Sequence, residues 1–242
     1  MRKSFALLVL LLSLASCQRA LRTDCYEDDL AMPAAEGSTD SLLLSISLEY
    51  VTGGADAQVR DAFNEVILTR AFDLENSSAT GLEETAIRYR ENLIDEYLTE
   101  CAGGSSTWED RMAGQFTGDW KGWKNYRLSY YQYRGGAHGI QTVSPVVFEA
   151  KTGRPLEEKD LFVEGYEGPV TMLLREAVTE SLRAEAEELL ELLEIDLVVP
   201  NNNFSVSAEG VEWVFQPYEV GPYALGIVSA TVHWEQLNPY LK

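Results

Sequence analysis

Hydrophobic and polar residues first alternate at positions 42–51, where leucine, isoleucine or tyrosine occupies every second position, mostly with serine or glutamate between. A period of two is typical of a strand with one buried face. Glycines at 53–54 end this pattern. Asp56 can then cap a helix that apolar residues at helical spacing extend to about Leu74. A second helix with a surface rich in glutamate and arginine is predicted over about 83–99.

The second half of the chain has the pattern of strands on either side of one long helix. Apolar spacing predicts an amphipathic helix over about 168–193, whose glutamates form a solvated face. The predicted strands of this half are 126–133, 141–148, 204–207, 211–215 and 226–234. Because strands and helices are segregated, we expect an α+β protein: an antiparallel sheet packed against a long amphipathic helix, preceded by a small strand–helix–helix module.

The amino terminus has the pattern of an export signal. Arg2 and Lys3 precede an apolar run at 5–14, which is shorter than the roughly 20 residues that span a bilayer. Small residues then lead directly to Cys17 in the sequence LASC, which is similar to the bacterial lipobox. This resemblance implies that Cys17 is acylated and becomes the first residue of the mature chain. The alternative is an ordinary signal peptide with a cysteine near its cleavage site by chance.

These patterns predict four segments. Residues 1–16 are a lipoprotein signal peptide, and residues 17–40 are an acidic tether, since this stretch is polar and shows no periodicity. Residues 41–104 form the small α+β module, and residues 105–242 form a C-terminal α+β domain that begins after a Gly-Gly-Ser-Ser break.

Composition narrows the classes of partner. With 45% hydrophobic and 24% charged residues, the chain has an average globular composition. Its 39 acidic and 19 basic residues give a net charge of −20, which excludes a nucleic-acid partner and favours a cationic one. Two histidines and three cysteines, without recognisable ligand spacing, predict no metal and no cofactor. Cys25 and Cys101 are a candidate disulfide if the chain is exported, the alternative being two free thiols.

Four motifs, in this order, resemble a known family. They are YQYRGGAHG at 131–139, FEAKTGRPL at 148–156, KDLF at 159–162 and VEWVFQPYEVGPYALG at 211–226. Together they resemble an extracytoplasmic bacterial domain of unknown function, found in the lysozyme-sensing outer half of the anti-sigma factor RsiV and in the accessory region of PdaC-type peptidoglycan deacetylases. Residues 42–100 resemble the smaller module that precedes it.

The resemblance implies a binding role in the cell envelope, for a protein such as lysozyme or for a cell-wall glycan. We expect neither anti-sigma nor deacetylase activity, since the sequence shows no sigma-binding segment, membrane span or metal-binding catalytic domain. The alternatives are a peptidoglycan-active enzyme and a structural component of an envelope complex. No pair of carboxylates and no nucleophile stands out, so no catalytic residue is assigned.

The candidate ligand-binding residues are aromatic. Large rings can stack on a ligand, and the glycine-rich segment 135–139 would allow a ligand to approach the backbone beside its histidine. The alternative for each is packing or local hydrogen bonding within the fold. The candidates are Trp120, Trp123, His138, Tyr218 and Tyr223.

Overall fold

A computed structural model describes residues 20–74, 81–100 and 106–242 and gives a mixed α+β fold. Its five-stranded sheet consists of β1 (Arg22–Pro33), β2 (Ser41–Gly53), β3 (Trp108–Trp120), β4 (Trp123–Tyr133) and β5 (Ile140–Glu149), in that spatial order. A second sheet consists of β6 (Phe204–Val206), β7 (Gly210–Phe215) and β8 (Val228–His233). The helices are α1 (Ala57–Ala71), α2 (Leu82–Glu100), α3 (Glu158–Leu161), α4 (Glu167–Glu185) and α5 (Trp234–Leu237).

Strand β1 replaces half of the tether predicted over 17–40, because it takes up 12 residues of that segment. It pairs antiparallel with β2 along its whole length, from Arg22 opposite Gly53 to Pro33 opposite Ser41. The tether prediction is wrong for residues 22–33, because they form this strand. The sequence does not reveal the strand because β1 lies at the sheet edge. An edge strand carries charges such as Asp28 and Asp29 that also occur in linkers, so its alternation is weak.

The five-stranded sheet is mixed rather than antiparallel throughout. Strands β2 and β3 are parallel, with Leu42 opposite Trp108, and the other neighbouring pairs are antiparallel. A parallel pair needs a crossover connection, which α1 and α2 provide. The sheet also spans the boundary predicted at 104–105, because β2 precedes that boundary and β3 follows it. The two predicted parts therefore share one sheet.

Two hydrophobic cores lie on opposite sides of this sheet. Every second residue of β2 from Leu42 to Leu48 is buried and packs with α1 residues such as Phe63 and Ile67. The second core joins one side of α4 to the three-stranded sheet and includes the β5 residue Val147. Thus α1 and α2 cover one face of the large sheet, and the C-terminal part covers the β4–β5 side of the other.

The side chain of Asn125 joins the two sheets. Its amide donates to the carbonyl of Val206 at 2.8 Å, and its carbonyl accepts the N–H of Val206 at 2.9 Å. Asn125 is buried, so this pairing satisfies polar groups that would otherwise be costly. It fixes β6 against β4.

The helix boundaries follow from local chemistry. Asp56 caps α1 as predicted, accepting the N–H of Val59 at 3.0 Å. Helix α4 ends at Glu185, earlier than the predicted 193, because Ala186 is extended and a short 3-10 helix follows over Glu187–Glu191. Most of the glutamates assigned to the solvated face therefore lie beyond the helix. In the described part of the chain, no helix has the length and apolarity needed to cross a membrane.

The two ends of the large sheet carry different groups. One end, which we call the hairpin end, holds the start of β1, the end of β2, the β3–β4 turn between Trp120 and Trp123, and the turn after β5 that contains Lys151. The other end holds the end of β4 and the connection from β4 to β5. Along β4, from Trp123 to Tyr133, the two ends are about 33 Å apart.

Candidate functional site

Three of the five predicted ligand-binding residues meet beyond the end of β4. His138 lies in the connection between β4 and β5, and its ring stacks on Tyr223, with ring centroids 3.8 Å apart and an interplanar angle of 16°. Tyr223 begins a 3-10 turn, and Tyr218 lies 5.6 Å from it, centroid to centroid. Tyr218 is 59% exposed, so the cluster presents an aromatic surface to solvent.

Gly139 is the point at which this cluster joins the sheet. The Tyr223 hydroxyl donates to the Gly139 carbonyl at 2.7 Å, and the Tyr131 ring packs directly over the Gly139 Cα. The guanidinium of Arg111 lies 4.5 Å from the centroid of the Tyr131 ring, within cation–π distance. We call Arg111, Tyr131, His138, Tyr218 and Tyr223 the aromatic patch.

The aromatic patch combines apolar ring faces with polar ring edges. The His138 Nδ1 lies 3.2 Å from the carbonyl of Gly139, so one imidazole nitrogen is engaged by the backbone and the ring is held against Tyr223. Such a surface can stack on a ligand and hydrogen-bond to its edges. Arg111 and Tyr131 were not among the predicted residues. The alternation of W-E-D-R-M at the start of β3 is the sequence feature that indicates Arg111, because it places this arginine on the strand face opposite Trp108 and Met112.

Trp120 and Trp123 lie at the opposite end of the sheet, apart from the patch. They are directly opposite each other across a two-residue turn, Lys121–Gly122, whose φ angles of 48° and 87° are both positive, as in a type I′ hairpin. Both rings are half-buried against the C-terminal core, and the Lys121 Nζ lies 5.0 Å from the Trp120 ring centroid. The predicted set of five residues therefore belongs to two separate places.

The most enclosed polar group of the large sheet is the carboxylate of Asp110 in β3. It is fully buried and forms a two-point ion pair with the guanidinium of Arg134. The hydroxyls of Tyr89 and Tyr130 donate to the same carboxylate at 2.6 and 3.0 Å. Burial, followed by the charge of Asp110, raises the pKa of Tyr89, and burial also raises that of Tyr130.

Glu158 in α3 is the corresponding group of the second core. It is 1% exposed, and its carboxylate accepts hydrogen bonds at 2.7 to 2.8 Å from Trp213, Tyr166 and the backbone of Asn202. Burial and the contact with Glu158 raise the pKa of Tyr166. Asp110 and Glu158 are thus both saturated by protein donors and link elements of the fold, and neither is free for acid–base chemistry.

The predicted cysteine sites are only partly described. Cys25 is exposed on β1, with its Sγ 3.4 Å from the Ser47 Oγ. Cys101 and Cys17 lie outside the described residues, so the disulfide and the lipidation site stay predictions. Within the described ranges, no group of three or more histidine, cysteine, aspartate or glutamate side chains could hold a metal ion.

Comparisons with known proteins identify related folds. A protein from Bacteroides fragilis NCTC 9343, described as a member of the DUF3298 family, superposes with a TM-score of 0.78 at 22% identity, covering 93% of this chain and 95% of its own. A DUF3298 family protein from Pseudomonas aeruginosa PAO1 gives 0.71 at 16% identity, covering 93% and 96%. The comparison with curated proteins found no match. The chain thus has the fold of these two proteins, and its residues 159–235 match the family described as a protein of unknown function (DUF3298).

Proposed function

We propose that the chain is an exported lipoprotein of the bacterial envelope, acylated at Cys17, whose folded body binds a cell-wall glycan without catalysis. The observation that carries this proposal is the aromatic patch, where the His138–Tyr223 stack adjoins the exposed Tyr218. The two fully buried carboxylates, Asp110 and Glu158, are occupied structurally, which favours binding over hydrolysis.

A saccharide fits the chemistry of the patch. The C–H face of a sugar ring packs on an aromatic ring, and its hydroxyls require hydrogen-bond partners at the ring edge. Tyr218 supplies an exposed ring. The His138 imidazole, stacked on the neighbouring Tyr223, and the Arg111 guanidinium, which lies over the Tyr131 ring, supply polar groups within the patch. The patch is preformed, since Tyr223 is hydrogen-bonded to the Gly139 backbone, so little ordering is needed on binding.

Titration calorimetry with soluble peptidoglycan glycan strands and with chitotetraose tests this proposal. We expect saturable binding that Tyr218→Ala weakens by about tenfold, the effect of losing roughly one aromatic contact. Lys151→Gln, at the hairpin end, is the matched control and should leave the affinity unchanged. Absence of binding, or binding that is indifferent to Tyr218→Ala, would contradict the proposal.

A cationic protein such as lysozyme is the second candidate, and an adjoining surface favours it. The face of β1–β3 opposite α1 and α2 carries four carboxylates, and no helix of the described residues covers it. These residues are Glu27, Asp29, Glu49 and Glu109, of which Glu109 is paired at 3.1 Å with Arg111 of the aromatic patch. On a chain of net charge −20, such a face would attract a basic protein in a salt-dependent manner. Lysozyme binding that weakens with salt and is unaffected by Tyr218→Ala would select this candidate.

A further inference from the structure

The chain enters the fold at the hairpin end of the large sheet. The Ala20 carbonyl packs against the Cα of Gly54, directly after β2, and β1 begins at Arg22. Ala20, Gly54, Trp123 and Lys151 line one groove of about 750 Å³ at this end. The first described residue therefore lies beside the β3–β4 hairpin.

This position limits how far the body can lie from the membrane. Three residue steps separate Cys17 from Ala20, and an extended chain spans at most about 3.6 Å per residue. If Cys17 carries the lipid, the hairpin end lies within about 11 Å of the bilayer surface. The tether expected over 17–40 would have allowed any orientation, whereas β1 uses residues 22–33 within the sheet.

The side chains of the hairpin end suit a lipid headgroup layer. Tryptophan is enriched at membrane–water interfaces, where its ring meets both apolar and polar surroundings, and lysine is attracted to anionic headgroups. Trp120 and Trp123 are half-buried here, and Lys121 and Lys151 are exposed. Neither lysine forms an ion pair with a described residue, whereas the neighbouring Lys124 is paired with Asp119 at 2.7 Å.

The charge distribution supports the same orientation. The chain carries a net charge of −20, and only five lysines follow Cys17. Three of them, Lys121, Lys124 and Lys151, belong to the hairpin end, where Asp56 and Asp119 also line the groove and Asp119 pairs with Lys124. Because anionic lipids would repel most of this molecule, we expect the end with the two lysines that are not ion-paired to approach them.

We propose that the hairpin end, formed by Trp120, Lys121, Trp123 and Lys151, docks on the anionic surface of the membrane that holds the lipid anchor. The aromatic patch then points away from the bilayer, about 33 Å further out along β4. This proposal rests on acylation at Cys17 and adds an orientation to the binding function.

The test uses the full lipidated chain in vesicles of phosphatidylcholine, with or without phosphatidylglycerol, in which a fraction of the lipids carries bromine in the acyl chain. Brominated lipids quench tryptophans only at close approach, and we expect quenching that is stronger with phosphatidylglycerol. All variants and the parent chain carry Trp234→Phe, because Trp234 is half-buried whereas Trp108 and Trp213 are buried. In this background, Trp120→Phe/Trp123→Phe should remove the quenching. Lys121→Gln/Lys151→Gln should lower the ratio of docked to undocked protein roughly fivefold for each lysine.

The matched control is Arg70→Gln/Arg183→Gln, which removes two exposed positive charges from α1 and α4, neither of them ion-paired with a described residue. It should leave the quenching unchanged. Vesicle flotation, with mass spectrometry of Cys17, separates the two proposals. Protein that floats with its lipid but shows no quenching, or quenching equal in both lysine and arginine variants, overturns the docking proposal alone. Protein without lipid on Cys17 overturns the anchor, and with it the docking.

Discussion

At the scale of single residues, Asp110 is a buried charge that links β3 to α2 and to the end of β4. Asp110→Ala would leave the guanidinium of Arg134 without its partner and the hydroxyls of Tyr89 and Tyr130 without an acceptor. Breaking a buried ion pair from one side typically costs about 3–5 kcal/mol. We expect a loss of this size in the free energy of unfolding, measured by urea denaturation. Glu84→Gln, which removes the exposed pair with Arg88, is the control and should cost at most about 1 kcal/mol.

Asp110 also shows what the sequence does not disclose about single residues. Within W-E-D-R-M, an aspartate at a buried position of a strand looks like a contradiction of the pattern. Its partners come from α2 and from the end of β4, at sequence separations of 20 to 24 residues, so no local rule predicts them. Tyr218 and Tyr223, in contrast, can be chosen as candidates from the sequence, because glycines and tyrosines mark the turn that holds them and the turn that holds His138. The stacking of His138 on Tyr223 is not predictable from the sequence.

At the scale of elements, β1 decides whether the amino-terminal segment is a linker or part of the fold. A chain that begins at Ser41 would be unaffected if residues 22–33 were a tether. Because β1 covers the edge of β2 and packs Tyr26, Leu30 and Met32 against the core, we expect this truncation to lower the melting temperature and promote aggregation. A chain that begins at Leu21 is the control. Equal melting temperatures for the two chains would show that β1 contributes nothing to stability.

The elements that the sequence predicts have one buried and one exposed face, whereas those that it misses lack this clear contrast. Strand β2 and helix α1 were predicted because one face of each is buried and the other is solvated, which produces a clear period. Strand β3 was not predicted over Trp108–Trp120, since exposed charges, glycines and a bulge near Gly118 interrupt its alternation. The parallel pairing of β2 with β3 joins residues 66 positions apart, such as Leu42 and Trp108, and a local pattern does not encode such a pairing.

At the scale of the whole molecule, the polar groups of both cores include tyrosines that the fold keeps neutral. Burial is the largest cause that raises the pKa of Tyr89, Tyr126, Tyr130 and Tyr166, and the nearby carboxylates Asp110, Glu49 and Glu158 raise it further. These residues lie in both halves of the fold. Alkaline pH is therefore expected to destabilise the two cores together.

The sign of this effect follows from proton binding. Unfolded tyrosine loses its proton near pH 10, whereas in the folded protein these four retain it to higher pH. The folded state is thus favoured fully below pH 10, and the free energy of unfolding falls as the pH rises above it, by up to about 1.4 kcal/mol per pH unit for a fully shielded tyrosine.

We expect the tyrosinate absorbance of the 12 tyrosines to rise in two phases, the second coinciding with loss of circular dichroism. Tyr89→Phe should remove one group from the second phase, and protein unfolded in urea should titrate in a single step. A single step in the folded protein, with its circular dichroism unchanged, would mean that water reaches these hydroxyls and that the cores are not closed around them.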